Sequence, residues 1–223
     1  MSEVAARLDA VRTRLRAAAT RAGRDPAAVT LVAATKTVPA ARIAEALTAG
    51  LVDVGENRAQ ELLAKAPALA DHDPAPRWHF LGSLQRNKVA GLARWVECWQ
   101  SVDRPELGEA IARHAPAARV LVEVNLAGEP QKAGCPPGQA PRLADRLRAQ
   151  GLTVVGLMAV PPFGEPPRPW FARLAALGAA AELPELSMGM TDDFEIAVEE
   201  GATMIRVGRA LFGERHRSQV PQQ

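Results

Sequence analysis

Tyrosine is absent from this chain of 223 residues. No phenol of its own can therefore act as acid, base or nucleophile. Cysteine is nearly absent too: Cys98 and Cys135 are the whole complement. Two such residues make neither a disulfide framework nor a metal-ligand spacing, and reduced thiols point to a cytoplasmic setting. Long apolar runs are missing, so no membrane span is expected. The segment from Met1 to Arg24 lacks the continuous apolar stretch of a secretory signal. Net charge is only +2, with arginines spread along the chain, so no basic domain suited to nucleic acid is indicated. No apolar heptad is reserved for a partner chain, and a monomer is expected.

What remains is an ordinary folding composition, 48% hydrophobic and 23% charged, ample for a core. The length allows one domain or two small ones. At the start, Val4, Leu8, Val11 and Leu15 recur at spacings of one helical face, which predicts a helix over about 3–23. Its arginines Arg7, Arg12, Arg14 and Arg16 read either as a solvated face or as an amphipathic transit peptide.

Beyond it, apolar β-branched runs alternate with helical patterns. Eight runs read as strands: Val29–Ala34, Leu51–Gly55, Trp78–Leu81, Val96–Val102, Val120–Leu126, Thr153–Val160, Glu185–Met190 and Thr203–Gly208. Helical spacing or composition marks Pro39–Ala49, Arg58–Ala66, Gln85–Leu92, Pro105–His114, Pro141–Gln150, Pro169–Ala181 and Asp192–Glu199. Several open with proline in the first turn, and Gly50, Gly151 and Gly201 follow three of them as C′ residues. Strand–helix alternation implies a parallel sheet under covering helices, and eight units point to a single (β/α)8 TIM barrel. A barrel over about 29–213 would fill the chain as one domain, 1–223, since such barrels start near about 200 residues. The competing architecture is a doubly wound open sheet. No Gly-x-Gly-x-x-Gly follows the first strand, which counts against its dinucleotide-binding version.

Barrel active sites sit where strands end. Lys36 closes the first strand. In a barrel mouth, desolvation and nearby cations would favour a neutral, nucleophilic amine suited to an aldehyde; the other reading is a lysine snorkelling at a strand end. The seventh and eighth strands end in Gly189 and Gly208, with the hydroxyls of Ser187 and Thr191 nearby. Loops after these two strands commonly hold phosphate, although the glycines would equally serve tight turns. Asp192 and Asp193 would repel an anion unless turned away. Arg206 lies inside the apolar run Met204–Val207, where burial without a partner is costly. A lysine, an arginine and a glycine-built anion site together suit an aldehyde-bearing phosphate, such as pyridoxal phosphate.

Longer motifs then come into register. They are Thr35-Lys36-Thr37, Gly55-Glu56-Asn57, Trp78-His79-Phe80-Leu81-Gly82-Ser83-Leu84-Gln85-Arg86-Asn87-Lys88, Val124-Asn125-Leu126 with Lys132-Ala133-Gly134, Gly156-Leu157-Met158, Leu186-Ser187-Met188-Gly189-Met190-Thr191, and Arg206-Val207-Gly208. Together, from about Leu31 to Gly213, they make the chain resemble the pyridoxal phosphate homeostasis protein family. That family is similar to the N-terminal barrel domain of alanine racemase (fold type III) without its C-terminal domain. The resemblance implies an aldimine between Lys36 and pyridoxal 5'-phosphate, with Arg206 facing the pyridine nitrogen. Ser187, Gly189, Thr191 and Gly208 would hold the phosphate, and Asn57 would line the ring. His79 and Asn125 match motifs without an assigned role, the alternative for His79 being a satisfied core histidine. Arg58 stands where the family usually has tyrosine, and the segment after Met158 is short and proline-rich.

The implied function is a non-catalytic cofactor binder in vitamin B6 homeostasis, donating pyridoxal phosphate to apo-enzymes. Lys132 and Lys88 are candidates for a second docking point. The alternatives are an amino-acid racemase or related enzyme, and a Schiff-base phosphosugar aldolase. A racemase needs a proton donor on each face of a carbanion. Lysine covers one face. The second, a tyrosine from another domain in alanine racemase, has no counterpart in a chain without tyrosine.

Overall fold

The computed structural model describes residues 2–213. Eight parallel strands close into one barrel in the order of the sequence, each pairing with the next and β8 with β1. The strands are β1 (Thr30–Ala34), β2 (Asp53–Glu56), β3 (Arg77–Phe80), β4 (Val96–Val102), β5 (Arg119–Glu123), β6 (Thr153–Met158), β7 (Glu185–Ser187) and β8 (Met204–Val207). The helices are α1 (Glu3–Arg21), α2 (Ala40–Thr48), α3 (Ala59–Ala68), α4 (Val89–Leu92), α5 (Pro105–His114), α6 (Ala140–Ala149), α7 (Arg168–Ala180), α8 (Phe194–Glu199) and α9 (Arg209–Phe212). The TIM barrel is therefore the architecture, and the open sheet is excluded by the β1–β8 pairing.

Punctuation residues act as their chemistry requires. Gly50, Gly151 and Gly201 take φ of +83°, +87° and +103° directly after α2, α6 and α8, the left-handed stop that glycine adopts without penalty. Pro105 occupies the first position of α5, where its missing N–H costs nothing.

Several boundaries differ from the periodicity reading. The fifth run, expected to Leu126, stops at Glu123, because Asn125 N–H donates to Cys135 O at 2.9 Å and leaves the ladder. The seventh, expected to Met190, stops at Ser187, because Gly189 takes φ +88°. Gln85–Leu92 resolves into a 3-10 turn over Arg86–Lys88 and the short α4. Residues 192–193 precede α8 rather than open it. The short α9 carried no helical period long enough to be seen.

Most apolar side chains pack between strands and helices. A separate small cluster, Cys98, Leu121, Met158 and Met204, is fully or nearly buried. Gln100 of β4 reaches both Met204 of β8 and Ser187 of β7; neither strand neighbours β4, so these groups meet inside the barrel. Helix α1 buries Val4, Leu8, Val11, Leu15, Ala18 and Ala19 and lies against α2, α8 and α9. Its basic residues are more than a solvated face. Arg14 and Arg21 pair with Glu195 at 2.8 Å and Glu199 at 2.9 Å, and Arg12 donates to Gly50 O at 2.7 Å. Among the described residues no helix is long and apolar enough to cross a membrane.

Candidate functional site

The seven residues expected to hold a ligand fall on four neighbouring strands, β7, β8, β1 and β2. All lie at or just past the carboxyl ends, except Arg206, one residue inside β8. Lys36 is half-buried, two residues beyond β1, and Asn57 half-buried, one beyond β2. Ser187 and Gly189 are buried, while Thr191 and Gly208 are half-buried.

The turn carrying Lys36 is braced from below. Thr35 donates its hydroxyl to Gly55 O at 3.1 Å and to Glu56 Oε1 at 2.9 Å. Glu56, fully buried, meets Lys65 Nζ at 2.5 Å. Lys65 also donates to Thr35 O and to Glu61 Oε2, each at 2.8 Å. Glu61 in turn accepts from Thr37 N at 2.7 Å. Thr37 holds φ +66°, a left-handed conformation that a β-branched residue adopts only when its surroundings enforce it. This brace is rigid scaffolding around the amine-bearing residue. Periodicity could not reveal it, because its partners come from β1, β2 and α3; the i,i+4 spacing of Glu61 and Lys65 was its one local trace.

The β7 and β8 ends are stitched together. Arg206 N–H donates to Gly189 O at 3.0 Å, and Ala210 N–H to Thr191 Oγ1 at 3.4 Å. A side chain at Gly189 would put its Cβ 2.5 Å from Ala197 Cβ, and one at Gly208 would sit 3.0 Å from Ala34 O. Gly189 therefore needs glycine, and Gly208 lies tight against the backbone at the end of β1. The two acids that would oppose an anion are engaged elsewhere. Asp192 is paired with Arg209. Asp193 accepts from Met190 N at 2.6 Å, and its burial holds its carboxyl above the usual range.

Arg206 is almost wholly buried at 6% exposure. It donates through Nη1 to Ser187 Oγ at 2.6 Å and through Nη2 to Ala159 O at 2.9 Å. Burial lowers its pKa to about 10, against the raising influence of Glu123 and Asp193, so it stays charged near neutrality. Glu123, at the end of β5, is pushed up to about 7 by burial and by Asp103. Its Oε2 is buried with no partner among the described residues.

Three further motif residues are engaged in hydrogen bonds of their own. His79 points into the barrel, between Asp53 at 3.0 Å and Gln100 at 2.8 Å; it is a satisfied core histidine. Asn125 shapes the loop after β5, donating to Glu129 O at 2.8 Å and accepting from Glu129 N at 3.1 Å. Lys132 pairs with Glu129 at 2.6 Å and reaches Pro161 O at 3.0 Å, tying the β5 and β6 loops together. Ser187 is also used otherwise than expected. Its hydroxyl donates to Gln100 Oε1 at 2.6 Å, so it faces the interior. Arg58 is exposed, 3.8 Å from Glu61.

A barrel presenting a lysine, a buried arginine and glycine-lined strand ends has known counterparts. The family model described as alanine racemase, N-terminal domain, matches residues 6–216. A pyridoxal phosphate homeostasis protein of Pseudomonas aeruginosa is 42% identical over 96% of this chain and 97% of its own length. The chain belongs to the pyridoxal phosphate homeostasis protein family. A second family member, from Aquifex aeolicus, is 43% identical over 94% of this chain and 97% of its own. Among solved structures, PipY of Synechococcus elongatus without PLP superposes with a TM-score of 0.84 at 36% identity, covering 95% of this chain and all of PipY. PipY with PLP bound superposes at 0.79. The family's barrel is thus the fold of this chain over nearly its whole length.

Proposed function

We propose that this chain is a non-catalytic pyridoxal 5'-phosphate binding protein of vitamin B6 homeostasis. The observation that carries the reading is the buried, charged Arg206 sharing one group of strand ends with Lys36 and the two glycines, in a chain of this family. The cofactor supplies an aldehyde that a lysine amine holds reversibly and a ring whose nitrogen governs its strength as an electron sink.

The residues present fit that group. Lys36 would hold it covalently, on a turn kept in place by Thr35 and Glu61. Backbone around Gly189 and Gly208, with the Thr191 hydroxyl, would take the phosphate, and Asn57 would border the ring. Ser187 supports this arrangement through Arg206.

Arg206 favours a holding role over catalysis. A guanidinium does not give up its proton near neutrality, so it would donate to the ring nitrogen and leave that nitrogen unprotonated. The missing tyrosine removes a second proton donor. We further propose that the protein works as a cytoplasmic monomer and passes its cargo to pyridoxal phosphate-dependent apo-enzymes.

Borohydride reduction of the loaded protein, followed by digestion and mass mapping, tests the site. The pyridoxyl adduct is expected on Lys36, and an adduct elsewhere would refute the assignment. Incubation of the loaded protein with single L-amino acids tests the role, since sustained racemisation or other turnover would make it an enzyme.

A further inference from the structure

A line of hydrogen bonds runs through the barrel interior, from Arg206 to the opposite end. Arg206 Nη1 donates to Ser187 Oγ at 2.6 Å, and Ser187 donates to Gln100 Oε1 at 2.6 Å. Gln100 Nε2 lies 2.8 Å from His79 Nδ1, and His79 Nε2 lies 3.0 Å from Asp53 Oδ1. Asp53 finally accepts from Arg77 Nε at 3.0 Å and Nη2 at 2.7 Å. Gln100 and Ser187 are fully buried, and His79 is 3% exposed.

The donors and acceptors match completely in one direction only. Arg206 has donors alone and ionised Asp53 has acceptors alone. The serine hydroxyl must therefore point to Gln100 Oε1 if its lone pairs are to face Arg206. That leaves the amide NH2 toward His79 Nδ1, which accepts, and puts the ring proton on Nε2 toward Asp53. The opposite amide orientation would demand a proton on Nδ1 and leave the serine proton no acceptor along the line. The carboxylate–arginine pair at the far end thus selects the histidine tautomer, the amide orientation and the hydroxyl direction in turn.

An apolar side chain of the same shape would fill this space at lower risk, beside Cys98, Leu121, Met158 and Met204. A buried amide is tolerated only when both its ends are bonded. Here both ends are bonded, and the group so held is Arg206. With Nη1 on Ser187 and Nη2 on Ala159 O, the guanidinium plane is set by the barrel itself.

We infer that Gln100 is a positioning residue for Arg206, orienting the guanidinium toward the ring nitrogen of the bound cofactor through Ser187 and itself oriented by His79 and Asp53. This rests on the reading of Arg206 as the partner of that nitrogen.

The experiment compares affinity for pyridoxal phosphate with that for its 1-deaza analogue, in which C–H replaces the ring nitrogen. The wild-type protein should favour pyridoxal phosphate by about tenfold or more, the value of one charged hydrogen bond. Gln100→Met should reduce that preference to about threefold or less, while the borohydride-trapped adduct stays on Lys36. His79→Leu, one link further away, should lower it in the same direction and serves if Gln100→Met folds poorly. The ratio of two ligands cancels any general loss of occupancy. An undiminished preference in both variants, with the wild type discriminating, would overturn the inference. A wild type that does not discriminate would instead overturn the Arg206 reading beneath it.

Discussion

Lys65 holds its ammonium nitrogen 2.5 Å from Glu56 Oε1, against the turn that carries Lys36. Glu56 has no exposed side-chain surface and Lys65 only 11%, so this is a buried pair. Removing one partner of such a pair strands a charge. Lys65→Met should cost about 3 kcal/mol of stability, read from the urea midpoint at constant slope. It should also slow borohydride trapping at Lys36, because Thr35 O and Glu61 lose the ammonium that joins them. Removing both charges in Lys65→Met/Glu56→Leu should recover about half the loss. A double variant no better than the single one would show that the charge of Glu56 is not the source.

Glu123 makes stability depend on pH. Burial first, then Asp103, raises its pKa from 4.5 to about 7. The folded protein therefore binds this proton more tightly than the unfolded chain does. Stability from this group is full below pH 4.5, falls as pH rises toward about 7, and is level above that. The spread corresponds to about 3 kcal/mol. Glu123→Gln cannot ionise, so its gain over wild type should grow between pH 5 and pH 8 toward about that figure. An identical gap at both pH values would mean that Glu123 titrates normally.

Gly189 and Gly128 separate backbone strain from crowding. Both take positive φ, +88° and +69°. An added Cβ at Gly189 would approach Ala197 Cβ at 2.5 Å and Phe194 Cα at 2.9 Å, whereas at Gly128 it meets nothing within 4 Å. Gly128→Ala should cost about 1 kcal/mol, the left-handed penalty alone. Gly189→Ala should cost about 3 kcal/mol and weaken phosphate binding, since overlap with α8 adds to strain. Equal costs in denaturant titrations would remove crowding from the account.

The barrel was legible because its evidence is local. Val96–Val102 and Pro105–His114 come out residue for residue as read, since an apolar run and a proline at the first helical position need no distant partner. Strand ends were overrun at Leu126 and Met190, where apolar sequence continues but the backbone turns away to Cys135 or into the positive φ of Gly189. Lys36, Arg206 and the glycines stood out as polar or small residues at strand ends. Gln100 and Asp53 did not, because nothing in their neighbourhood along the chain marks them, and Lys65 left only its i,i+4 spacing from Glu61.

By itself, then, the sequence determined the alternation of eight strands and helices, the motifs that place the chain in its family, and the absence of a phenol. Those properties are written in composition and in spacings of a few residues. Tertiary structure alone decided that Ser187 faces Gln100, that His79 lies between Gln100 and Asp53, and that Lys65 braces Thr35. Each of these joins residues well separated along the chain. Closure of the barrel brings β4 across to β7 and so puts Ser187 within reach of Gln100, while pairing of adjacent strands and the packing of α3 place the others.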